Sequence, residues 1–460
     1  MKQNLCGYLL FLLFVSGFLF IDTNAQNAHY WSNQYGTRAD LLGGIVIGSV
    51  KDLSSTYYNP GAVSFSSERS LIISTHAFDI TYIKLDLPIN GPNDYDFFRT
   101  RVAPVIFALR LTNPLKFTNS FVISYVEKED DEKEFSLLNL PYSQYEDAPE
   151  LIKNSFNETR VYHNVGEHWA GITWTYTYNN KLGLGFTFYG AYRNQEVQTR
   201  INLQFVDSTA VGLSVERRAD YEITHFRLFG KLGVFYEEEN YSIGLTMLLP
   251  SLPLFGWGEL LYLDSKINIE KEDNRYSSIT NVTQSDLNVR YTYPFSIGMG
   301  GSYKTGNTRL HFSLEWFNNI PNYKMIDANP FTHPETGEMI DPDVYATSRS
   351  VLNYGFGFEY RLEKDVDLYF AIRTDFSSKY KTNYSALNFS EYNKYYINTG
   401  SAFKAFDYYI TLGISYGFGA SSSPSLFSKL FPDPLNDNSE EEDKIDLHYN
   451  NLKFILGFSF

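Results

Sequence analysis

The chain has 460 residues, a formal charge of −15 and one cysteine, and 17 % of it is aromatic, with 37 Tyr and 37 Phe. A polyanion partner needs clustered Lys and Arg, which this acidic chain lacks, so nucleic acid is excluded as a ligand. The single Cys6 excludes disulfides and thiolate metal sites from everything that follows it.

The N-terminus carries one charge, Lys2, then an apolar run from Tyr8 to Ile21 and the small-residue stretch Thr23-Asn24-Ala25. That run is shorter than the roughly 20 residues a helix needs to cross a bilayer, and the pattern is that of a signal peptide over 1–25. Cys6 precedes the apolar run, which argues against a lipid-modified N-terminal cysteine. No Pro/Gly/Ser linker divides the remaining residues of about 435, so one large architecture is expected.

Residues 26–67 do not alternate. They contain Asn33-Gln34-Tyr35-Gly36-Thr37-Arg38-Ala39-Asp40, then Gly43-Gly44, then Lys51 through Ala62 with the turn Asn59-Pro60-Gly61. Small residues and an Asn-Pro turn suit a compact segment packed inside a polar lumen, where wall side chains satisfy its backbone.

From about residue 68 the pattern is strand-like. Leu310, Phe312, Leu314 and Trp316 alternate with His311, Ser313 and Glu315, and Tyr354, Phe356, Phe358 and Tyr360 alternate with Gly355, Gly357 and Glu359. The period is two, not 3.6. Placing His311 or Glu315 against lipid costs about 2–4 kcal/mol for a charge at midplane, so the apolar set faces out. A mean hydropathy of −0.28 agrees with a spanning strand that shows every second residue to a polar interior.

Thirteen strands are readable, near 71–84, 102–111, 117–127, 162–178, 181–205, 220–236, 240–250, 286–303, 308–318, 351–362, 366–378, 405–418 and 450–460. Bacterial single-chain barrels have even numbers, so one more is expected, either within Trp257 to Ile269 or in Gly419 to Leu430. Fourteen is the expected total, with twelve and sixteen open. Long polar excursions near 128–160, 251–285, 319–350 and 378–404 read as external loops, and short turns such as Asn179-Asn180-Lys181 as the opposite rim.

No constellation for chemistry stands out. Gly413-Ile414-Ser415-Tyr416-Gly417 fits a nucleophile-elbow pattern but sits inside an unbroken alternation with no helical pattern after it. His163 and His168, five apart on a strand, point to opposite faces, and the acidic runs lack calcium-loop spacing. No enzyme, metal or cofactor is expected. The chain ends on Phe454, Leu456, Phe458 and Phe460 along one face, which resembles the closing-strand signal read by outer-membrane assembly machinery.

These features describe an all-β, antiparallel outer-membrane barrel of a Gram-negative bacterium, with an N-terminal plug. Residues 30–65, through the Gly-rich run, Asp52 with Ser54 and Ser55, the aromatic pair Tyr57-Tyr58 and Asn59-Pro60, resemble the FadL family of transporters for long-chain fatty acids and hydrocarbons. The family pattern reads Asn-Pro-Ala-Gly where this chain has Asn59-Pro60-Gly61-Ala62. The resemblance implies a fourteen-stranded barrel, a hatch shaped by Asn59, Pro60 and Gly61, and a kinked strand through which apolar ligands leave sideways. It implies a monomer that takes a hydrophobic small molecule and contacts outer-membrane lipid and lipopolysaccharide. A porin for polar solutes and a barrel without transport are the alternatives.

Overall fold

A computed structural model describes residues 29–66, 71–86, 94–111, 119–138, 155–206, 212–271, 274–334, 337, 339–379, 392–405, 408–423 and 445–459. The signal-peptide reading of 1–25 and the terminal Phe460 lie outside them.

The N-terminal segment forms α1 (Thr37–Leu41), α2 (Ser55–Tyr58) and a 3-10 helix over Pro60–Phe65. The rest is strand. First come β1 (Leu71–Asp86), β2 (Asp94–Leu111), β3 (Asn119–Leu138), β4 (Ser155–Tyr178), β5 (Leu182–Val206), β6 (Gly212–Glu237) and β7 (Tyr241–Leu248). Then follow β8 (Leu252–Lys271), β9 (Asn274–Val289), β10 (Ser296–Thr305), β11 (Thr308–Phe317), β12 (Ile320–Asp327), β13 (Phe331–Thr332), β14 (Met339–Ile340) and β15 (Val344–Ser348). The last five are β16 (Val351–Glu363), β17 (Val366–Asp375), β18 (Lys394–Ala405), β19 (Tyr408–Ser423) and β20 (Ile445–Ser459).

All ladders are antiparallel. Neighbours run from β1 through β7, then β10, β11 and β16 through β20, and β20 pairs β1 again over Phe78↔Phe454 to Asp86↔Asp446. Alternation decides the two faces. Phe356 is 53 % exposed on the outside while Asn353, three residues earlier and of opposite phase, is 0 % exposed inside. His311 and Ser313 are buried and Glu315 faces inward, and Leu310 and Trp316 are exposed, which is the phase expected from the cost of a charge in hydrocarbon.

An aromatic band crosses the outer face. Tyr125, His168, Tyr192, Phe226 and Phe255 follow one another on β3, β4, β5, β6 and β8 with ring centroids 5.9, 6.2, 5.1 and 4.9 Å apart. His168 is in this band while His163 turns to the interior. Past the band β5 continues from Tyr192 to Val206, about 45 Å at ~3.3 Å per residue.

That extension corrects the loop assignment. Residues 128–138, 155–160, 252–271, 274–285, 320–327, 344–348 and 394–404 are strands, not loops. Beyond lipid both faces of a sheet meet water or other protein, so the pairing persists after the alternation that marks it has gone. β18 is the strand the sequence hid. Trp257 to Ile269 is also extended, but it continues the β7 line: β6 pairs β7 over 231–237 and β8 over 214–228. Gly419 to Ser423 only prolongs β19, and 424–444 lie outside the described residues.

Four lines break between described strands, at 249–251, 290–295, 318–319 and 349–350. The 286–303 strand is therefore two, β9 and β10, separated by a segment that includes Pro294, which has no N–H for a ladder. Tyr291 and Tyr293 in that segment are buried.

Candidate functional site: a plugged lumen with a seam in its wall

Residues 29–66 pack on inward-facing wall residues. Asp375 at the end of β17 holds the start of the segment: its Oδ1 accepts from the Tyr30 and Trp31 amides at 3.1 and 3.0 Å, and its Oδ2 from Ser32 Oγ at 2.7 Å. Arg38 pairs with Glu359 of β16 at 2.6 Å, and Glu359 also meets His311 Nε2 at 3.2 Å. Trp31 Nε1 donates to Glu315 at 2.8 Å, and Lys231 Nζ donates to the Tyr57 carbonyl at 2.6 Å. Alternating polar residues that looked merely lumenal are thus the plug's anchors.

Local chemistry shapes the segment. Gly43 and Gly44 have φ of +58° and +77°, a region that favours glycine, where the chain leaves α1. Asp52 Oδ1 accepts from the Ser54 amide at 2.8 Å at the start of α2, and burial raises the Asp52 carboxyl above its ordinary value.

Asn59, Pro60 and Gly61 meet the wall directly. Asn59 is 0 % exposed; its Nδ2 donates to the carbonyls of Ile47 and Val234 at 2.9 and 3.0 Å, and its Oδ1 accepts from Gly61 N at 3.0 Å. Pro60 opens the 3-10 helix, where a missing N–H costs nothing. A Cβ on Gly61 would stand 2.8 Å from the carbonyl oxygens of both Gly183 and Gly233. The turn therefore lies backbone to backbone on a glycine patch of β5 and β6.

The wall has a seam between β2 and β3. Their ladder runs only from Ile106↔Val126 to Leu111↔Phe121. Farther along, among the described residues, β2 pairs only with β1, and β3, bulged between Glu127 and Glu129, pairs only with β4. Unpaired edge carbonyls need donors. Tyr35 Oη donates to Glu127 O at 2.9 Å and Asn33 Nδ2 to Lys128 O at 3.0 Å; Arg99 Nη1 reaches Asp130 O at 3.3 Å, and Arg101 bonds the same oxygen. Two side chains of the N-terminal segment and two arginine side chains of β2 take the place of backbone ladder bonds along this edge. Sequence reasoning missed Asn33 and Tyr35 in this role, because nothing local marks a donor for a strand about 95 residues away.

Behind the seam is a cavity of about 100 Å³. Eight of its lining side chains are Lys or Arg and five are Asp or Glu, and Phe97, Tyr392, Tyr396 and Tyr449 add aromatic surface. His29 Nε2, 2.8 Å from the Tyr392 carbonyl, is the protonated ring nitrogen, and burial lowers the His29 pKa to about 3. A second cavity of about 30 Å³ lies deeper, between Tyr30, Tyr57, Trp169, Tyr293 and Phe317, with Lys231 and Glu315 at its edge. Next to these, Glu167 bonds Arg193 at 2.7 Å, pairs with Arg227 and accepts from Trp169 Nε1 at 2.6 Å, so a buried carboxylate is fully matched.

Ser415 lies in mid-strand in β19, between outward Ile414 and Tyr416. Among the described residues no group of three or more His, Cys, Asp or Glu is placed to hold a metal ion.

No protein-family model and no curated protein matches the sequence. Solved structures do match in fold. The Pseudomonas aeruginosa FadL homologue aligns with a TM-score of 0.55 at 10 % identity, over 95 % of this chain and 99 % of its own. The Pseudomonas putida toluene transporter TodX aligns at 0.54 and 13 %, over 94 % and 99 %, and the Ralstonia pickettii toluene transporter TbuX at 0.51 and 12 %, over 92 % and 98 %. With an N-terminal segment packed on its inward face, an outward apolar belt and an antiparallel ring of ladders, the chain has the FadL-type outer-membrane β-barrel fold.

Proposed function

We propose that this protein is a passive outer-membrane channel for hydrophobic small molecules, fatty acids or aromatic hydrocarbons, with residues 29–66 acting as its hatch. The carrying observation is the β2–β3 seam, a gap in the paired wall whose edge is held by the plug residues Asn33 and Tyr35. Displacing the plug removes those donors and opens a sideways path from the cavity toward the apolar belt. The names of the toluene transporters TodX and TbuX support an apolar ligand. Transfer of about ten methylenes between water and an apolar site at ~0.8 kcal/mol each drives capture with no energy coupling. Asn59, Pro60 and Gly61 serve as the fixed foot of the hatch, and no catalytic step is assigned.

The test uses liposomes containing the full chain or a variant lacking residues 26–62. Labelled toluene and laurate should enter faster than into empty liposomes, and the truncated barrel should pass small sugars that the plugged one retains. Uptake equal to that of empty liposomes overturns the channel reading. The charged lining of the larger cavity favours a second reading, a pore for polar solutes. Rapid sugar-driven swelling with the intact chain would select it.

A further inference from the structure

The cavity behind the seam has a charge opposite to that of the chain. The protein carries −15, yet Lys and Arg outnumber Asp and Glu eight to five around this space. The acids nearby are committed. Asp375 accepts three bonds from the plug, Asp131 is paired with Lys133, and Asp79 is shared by Arg101, Asn451 and Lys453.

Two ammonium groups are left without an acid. Lys128, 5 % exposed, donates to the Tyr30 carbonyl and the Tyr57 hydroxyl at 2.8 and 2.9 Å, and Lys394, 9 % exposed, reaches Ser32 Oγ at 3.3 Å. Neither has a carboxylate within 4 Å among the described residues. Burying an ammonium with no carboxylate in contact is unfavourable, so Lys394, on the cavity wall, favours an anion from outside the chain. Lys394 also stands over the rings of Tyr449 and Tyr392, at 4.8 and 5.7 Å, and these two rings stack at 4.9 Å. Lys453 reaches the same Ser32, through its carbonyl at 3.2 Å. One end of the cavity thus joins two ammoniums to an aromatic wall.

Size narrows the guest. A cavity of about 100 Å³ is smaller than the roughly 150 Å³ cavity known to take up one benzene, so the guest is limited to one small ring and a long chain is excluded.

We propose that this cavity binds a compact aromatic carboxylate, with the acid group on Lys394, the one of the two ammoniums at this end that has no carboxylate in contact, and the ring against Tyr392, Tyr396 and Tyr449. This deepens the channel reading and rests on it: the preferred cargo is a small aromatic acid, drawn in by charge and held by ring contacts.

The experiment measures equilibrium binding of radiolabelled benzoate, toluene and laurate to the full chain in detergent, at low and high sodium chloride. Benzoate should bind more tightly than either of the others, weaken with salt, and weaken at least tenfold in Lys394→Met but not in Lys394→Arg. Heat-modifiable gel mobility reports whether each variant is folded; if Lys394→Met does not fold, the ligand order and salt dependence of the unaltered chain decide. Toluene or laurate binding as tightly as benzoate overturns the proposal. Displacement of benzoate by an equal concentration of inorganic phosphate also overturns it, since the ring then contributes nothing. Toluene flux into liposomes separates the two claims. Flux without benzoate binding removes this inference alone, and benzoate binding without flux removes the channel reading and with it the cargo role, leaving only the binding site.

Discussion

At the scale of single residues, the plug is held by a few buried polar contacts whose loss has a definite size. Asp375→Ala leaves two amides and a hydroxyl of the plug without their acceptor; at roughly 1–3 kcal/mol per orphaned group the cost is several kcal/mol, seen as a lower heat-modification midpoint. Gly61→Val drives methyl groups into the carbonyls of Gly183 and Gly233, which are backbone and cannot rotate away. A loss of about 1–3 kcal/mol is expected from overpacking. Histidine gives a pH dependence. Burial depresses the folded-state pKa of His29 to about 3, below its unfolded 6.5, so the unfolded chain binds the proton more readily. The neutral ring therefore contributes stability in full above about pH 6.5, and that contribution falls away as pH drops toward 3. Tryptic release of the N-terminal segment should rise between pH 7 and pH 5, and His29→Gln, which keeps an N–H donor for the Tyr392 carbonyl, should flatten that rise.

At the scale of elements, the sequence exposed some strands and hid others for one reason. β11, β16 and β19 pass through the apolar belt, and the requirement of a lipid face writes a period of two into them. Most of β8, and β9, β12 and the far halves of β3 and β4, stand beyond the aromatic band, where no such requirement acts, and so they resembled loops. β18 was hidden differently: its inward face runs through Asn398 and Gly400, small or polar residues packed close to α1. The seam is also an element-scale feature. Replacing both Asn33 and Tyr35 by Ala and Phe removes two donors from the β3 edge, so deuterium exchange at 127–131 should accelerate while the β4–β5 ladder stays protected. Unchanged exchange at 127–131 would mean that the plug does not hold the seam.

At the scale of the whole molecule, the outside and inside are different solvents. Phe356→Arg puts a charge on the belt and should cost about 2–4 kcal/mol in folding into liposomes. Arg at the inward position Asn353 should not raise the same lipid penalty, although it crowds the plug at Asp375. The sequence alone determined the all-strand character, the face that each belt strand turns outward and the existence of a segment outside the wall, because each of these follows from local pattern and the price of polar groups in hydrocarbon. Only the tertiary structure decided where the ladders stop, which plug side chains replace missing ladder bonds and which lysines are left without an acid. Those outcomes depend on residues tens to hundreds of positions apart meeting in one lumen, and no local period records which of them will meet.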